Sequence, residues 1–149
     1  MDQVRFDRWV LDVDRTSTEE AYQHIAPGPE TCGCSPCRNF VAVRGRVYPP
    51  EFRRLCSRLG IQVEKEREVY HCGQGQDGEH VYGGWFHFVG RMETTPENED
   101  HEYTDTEGRF RFFFSNRPAL VPEVLRERPL VQVEFTLTAP WVLDEPEPD

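Results

Sequence analysis

Cys32, Cys34 and Cys37, in the stretch TCGCSPCRNF at 31–40, place three thiols within six residues. Thiolates at Cys-x-Cys-x-x-Cys spacing can converge on one Zn²⁺, because a tight turn followed by the first turn of a helix brings their sulfurs to one point. Tetrahedral closure then asks for a fourth donor. His24, eight residues upstream, is the first choice; His71 or Cys72, at the end of a strand, is the alternative.

The same residues support a second chemistry. Cys34-Ser-Pro-Cys37 resembles the Cys-x-Pro-Cys of thioredoxin-like oxidoreductases, and the resemblance implies dithiol exchange by Cys34 and Cys37. A helix N-terminus favours thiolate and lowers a cysteine pKa from its usual value of about 8.5. In that family a hydrophobic strand precedes the motif, whereas here the preceding residues are IAPGPETCG. A third reading is packing, with Cys37 on an apolar helix face and Cys32 and Cys34 in a loop. Cys56 falls on an apolar helix face and reads as a core thiol.

GQGQDG at 73–78 matches G-x-G-x-x-G, but the nucleotide fingerprint must run from a strand into a helix and this one runs into HVYGGWFHF. It reads as a hairpin turn. Centred between Gly75 and Gln76, that turn sets His71 opposite His80, where two imidazoles could share a metal or a proton. Strict alternation puts His87 on the other face unless Gly83-Gly84 forms a bulge. Those glycines, beside Trp85, also suit close approach of a backbone or ligand, and Tyr82, Trp85 and Phe112 suggest an aromatic sheet that could bind a small molecule. The chain has no G-x-S-x-G, H-E-x-x-H or G-x-x-x-x-G-K-[ST] motif, so an enzyme reading stands on the cysteines alone.

The elements that must position these residues read as α+β: a mostly antiparallel sheet of about five strands, with two short helices at about 36–45 and 50–59 inserted after the first strand. RFDRWVLDV at 5–13 alternates as one strand, with Trp9, Leu11 and Val13 sharing a face. Thr18-Glu19-Glu20 starts a short helical turn that Pro27, Gly28 and Pro29 forbid from continuing. Ser35-Pro36 has N-cap and first-turn chemistry. In the second helix Pro49-Pro50 supplies the start, Phe52, Leu55, Cys56 and Leu59 the apolar face, and Gly60 the stop. Further strands fall at 66–72, 79–92, 109–116 and 130–138. In the last, Val131, Val133, Phe135 and Leu137 point inward and Gln132, Glu134, Thr136 and Thr138 outward.

A length of 149 residues fits a single domain, 1–149, able to bury its own core. The net charge of −10 falls wholly in the second half: residues 1–75 hold eleven acids and eleven bases, residues 76–149 sixteen acids and six bases. Two segments carry much of it, read as a mobile acidic hairpin loop at 93–108 and a disordered acidic tail at 144–149. Six arginines lie between residues 38 and 58, so the molecule reads as a dipole unless arginines and acids meet within the fold. Such a total repels nucleic acid and acidic membranes and suits a basic protein partner. The acidic N-terminus lacks the pattern of a signal peptide, which implies a cytoplasmic protein whose five cysteines are thiols or metal ligands.

CGCSPCRNF, YPPEFRRLCSRLGI and HVYGGWFHFVG together resemble a family of small uncharacterised bacterial proteins with a C-x-C-x-x-C-R-N-F segment followed by a Y-G-G-W-F-H strand. The resemblance covers about residues 5–92 and implies a bacterial, cytoplasmic protein with no activity attached. The expectation is therefore a non-catalytic interaction module with a structural zinc site at Cys32, Cys34 and Cys37, completed by His24 or His71. Its rival is a thiol-disulfide oxidoreductase using Cys34 and Cys37.

Overall fold

The computed structural model describes residues 1–93 and 101–148. Among the described residues, seven strands and four α-helices follow in the order β1 (Asp2–Phe6), β2 (Trp9–Val13), α1 (Arg15–Tyr22), α2 (Gly28–Cys32), α3 (Ser35–Val47), α4 (Pro50–Leu59), β3 (Glu68–Gln74), β4 (His80–Glu93), β5 (Tyr103–Thr104), β6 (Phe110–Ser115) and β7 (Leu130–Ala139). A 3₁₀ turn spans Glu123–Leu125. The class is α+β with an antiparallel sheet, as the alternation predicts, but the element count is higher than five strands and two helices.

Each addition has a local cause. The stretch at 5–13 is not one strand: Asp7 takes a left-handed φ of 52° and folds β1 back on β2, pairing Phe6 with Trp9 and Asp2 with Val13. Asp14 caps α1 by accepting from the Ser17 amide at 3.1 Å and the Ser17 hydroxyl at 2.8 Å. α1 ends at Tyr22 and does not run through Pro27, Gly28 and Pro29, but these residues begin a further helix, α2, since proline is tolerated in a first turn, where its missing N–H has no partner to lose. Tyr103 and Thr104 pair with Phe112 and Arg111, so part of the expected acidic loop is strand; its residues 94–100 lie outside the described ones.

β4 is the spine of the sheet, whose order is β1-β2-β4-β7-β6-β5 with β3 also on β4. β7 pairs along it from His80 to Val89, β3 over His80–Trp85, and β2 over Gly90–Glu93. One sheet face carries Tyr82, Phe86, Phe88, Phe112, Val133 and Phe135 into a core closed by Phe40, Tyr48, Phe52 and Leu55 of the helical layer. Tyr48 stacks on Phe135 at 5.5 Å and on Phe52 at 5.5 Å, which ties the α3–α4 junction to the sheet. Gly60 ends α4 at φ 85°, where a Cβ would lie 2.7 Å from the Arg15 carbonyl oxygen. Gln132, expected outward, is buried, because His87 and the amide of Ala119 both bond its carbonyl oxygen. Among the described residues no helix is long and apolar enough to cross a membrane.

Candidate metal centre

Cys32 is the last residue of α2, and Gly33 follows it at φ 74°, the left-handed turn that reverses the chain. Cys34 then caps α3: its carbonyl accepts from the Arg38 amide at 2.9 Å, so the cap lies one residue before the expected Ser35. Cys37 sits one turn in, buried at 7% exposure, while Cys32 and Cys34 are exposed. The three sulfurs lie within 4.8 Å of one another, with Cys32 Sγ 3.2 Å from Cys34 Sγ, and all three are free thiols.

Their proton affinities diverge. The Cys34 amide, followed by the Cys34 and Cys37 side chains, bonds the Cys32 sulfur and lowers its pKa. Burial pushes the Cys37 thiol well up, and the neighbouring sulfurs push the same way. Arg38 stands at the rim, donating from Nε to the Gly33 carbonyl at 3.2 Å and holding Glu145 of the C-terminal segment at 2.9 Å.

Hydrogen bonds from buried side chains anchor the start of α3 to the sheet and the C-terminal segment. Buried Asn39 donates to Tyr82 Oη at 3.2 Å and to the Pro140 carbonyl at 3.1 Å, and accepts from the Val142 amide at 2.8 Å. Tyr82 donates onward to the Pro36 carbonyl at 2.9 Å. At the far end of α3, Arg44 donates to both oxygens of Glu66 at 3.1 and 2.9 Å, and Tyr48 donates to Glu66 at 2.7 Å. Glu66 has no solvent exposure, and burial raises its pKa against the opposing pull of Arg44 and Tyr48. Nothing in the sequence marks this carboxylate; Glu64, two residues away, is exposed.

The histidines are elsewhere. His24 is exposed and lines a cavity with Arg67, Pro122 and Val124. His71 pairs with Tyr82 and not with His80, because the hairpin is centred on Asp77, with Gln74 opposite His80, and the ladder then slips between His71 and Gly73 at exposed Cys72. The two imidazoles still meet diagonally, His71 Nε2 to His80 Nδ1 at 2.9 Å. Burial, then the charge of His80, lowers the His71 pKa. His80 is fully buried against Trp141 and reaches Glu147 from Nε2 at 3.3 Å, so described residues of the acidic tail pack onto this pair. Trp141 and Glu147 carry no motif, and only proximity in the fold identifies them.

The Gly83-Gly84 register is unbroken, which leaves His87 on the face opposite His80. A Cβ at Gly83 would meet the Tyr70 ring at 2.4 Å and one at Gly84 the Glu68 carbonyl oxygen at 2.3 Å, so the close approach is internal. Tyr82 and Phe112 are fully buried in the core, whereas Trp85 lies on the other face with its Nε1 donating to the Ala119 carbonyl. These three rings therefore form no common platform. No family model, curated protein or solved structure matches the chain.

Proposed function

We propose that the chain is a cytoplasmic interaction module that works by binding, with one zinc ion held by Cys32, Cys34 and Cys37. The observation that carries this reading is the convergence of three sulfurs within 4.8 Å at a turn and a helix N-terminus. Thiolates are soft donors suited to zinc, and the amino end of the 13-residue α3 favours their negative charge. The acidic excess of the second half supports a basic protein as partner. Native mass spectrometry of protein purified without chelator, with metal analysis on the same sample, tests the site. One zinc per chain, lost in Cys34→Ser, is expected; a metal-free chain with three freely alkylated thiols would sink it.

One observation favours a second reading, thiol-disulfide exchange, and shifts its residues. Cys32, exposed and lowered in pKa, lies 3.2 Å from Cys34, whereas Cys37 is buried and raised. Cys32 is then the attacking thiolate: it displaces one thiolate from a substrate disulfide, and Cys34 attacks the mixed disulfide to release the other. The chain leaves oxidised by two electrons. A disulfide mapped to Cys32 and Cys34 after mild oxidation supports this version; equal, unaccelerated alkylation of both thiols near neutral pH removes it.

A further inference from the structure

Closed structural zinc sites carry four protein ligands, whereas sites with three keep a position for a molecule from outside. Among the described residues, the three cysteines form a cluster that no His, Asp, Glu or further Cys joins. The donors expected to complete it lie outside that cluster: His71 contacts His80 at 2.9 Å, and His24 lines a cavity beside Pro122 and Val124.

Resting on the reading that the cysteines hold a metal, we infer that its fourth position is open and takes a thiol from outside the chain. Access is from solvent, since Cys32 and Cys34 are both exposed. Three thiolates make the metal soft and disfavour hard oxygen donors, so sulfur is the preferred incoming atom. The incoming thiol displaces the bound water and loses its proton, which that water carries into solvent as hydronium; one metal–oxygen bond breaks, one metal–sulfur bond forms, and nothing is oxidised. The complex gains one negative charge. The amino end of α3 offsets it, while the Arg38 guanidinium at the rim, bonded to the Gly33 carbonyl, is already paired with Glu145. A small-molecule thiol and a cysteine on a protein share this chemistry.

Cobalt(II) replaces zinc as a coloured probe in the reduced full-length chain, and its thiolate-to-metal absorption reports the number of sulfurs bound. Titration with 2-mercaptoethanol, and separately with a peptide bearing one cysteine, is expected to raise that absorption by about one third, as three sulfurs become four. A rise with both probes assigns the position to thiols in general, and a rise with the peptide alone assigns it to a protein cysteine. Absorption that neither thiol changes overturns the open position, and a spectrum altered by His24→Ala or His71→Ala identifies the imidazole that closes it. Failure to bind cobalt at all, with Cys34→Ser indistinguishable from the parent, overturns the metal reading itself.

Discussion

The two ends of α3 hold polar clusters of opposite kinds. At its carboxyl end Arg44, Tyr48 and Glu66 form a network in which both oxygens of a fully buried carboxylate are bonded. At its amino end three sulfurs face one another, two of them open to solvent. A buried charge with all its bonds made holds elements together and has no valence left for a ligand; an exposed cluster of donors is the reverse. Stability and binding should therefore separate along one helix, and substitutions at its two ends test that separation, with a buried histidine of the sheet as a second measure of what burial costs.

The largest effect is expected at the closed end. Arg44→Met strands the Glu66 charge in the core and should cost about 3–5 kcal/mol in denaturant unfolding, with much of it recovered in Arg44→Met/Glu66→Leu. A single variant as stable as the parent would erase the contrast. Next comes buried His87, whose Nε2 lies 2.9 Å from Gln132 Oε1 and whose pKa burial lowers to about 4. The unfolded imidazole takes its proton near 6.5 and the folded one near 4, so His87 leaves stability intact above the higher value and subtracts from it as pH falls. The loss is on the order of 3 kcal/mol by pH 4, and His87→Gln should flatten the profile between these values.

Tyr48→Phe removes one bond to a buried carboxylate and should cost about 1–3 kcal/mol, leaving metal uptake at the other end of α3 unchanged. Smallest in stability is Cys32→Ser at the exposed turn. The midpoint of thermal unfolding of the metal-free chain should not move measurably, while metal affinity falls sharply. A Cys32→Ser chain that melts well below its parent without metal would show that the open end is structural after all.

Much of this fold is legible from periodicity. Phe52, Leu55, Cys56 and Leu59, bracketed by Pro49-Pro50 and Gly60, define α4 to the residue because the start, the buried face and the stop are all local signals. β7 follows from its alternation in the same way, and so do the three cysteines at a turn and a helix start. The hairpin at Asp7 escapes because a left-handed non-glycine residue carries no sequence mark. α2 escapes because proline blocks helix interiors yet suits their first turns. His71 and His80 meet for a reason other than symmetric pairing, since the slip at Cys72 sets His71 opposite Tyr82, on the same face as His80 and diagonal to it.

Residue types and short spacings alone set the kind of chemistry at hand: three thiols at metal-binding spacing, an α+β chain of aromatic strands, and an acidic second half. These depend on residue type and on separations of a few positions, which chain geometry translates directly into space. Long-range packing sets which donors reach the cysteines, puts Glu66 beneath Arg44, and returns the C-terminal segment to Asn39, Arg38 and His80. Contacts across 22 to 107 residues arise from how whole elements pack, and no local pattern encodes them.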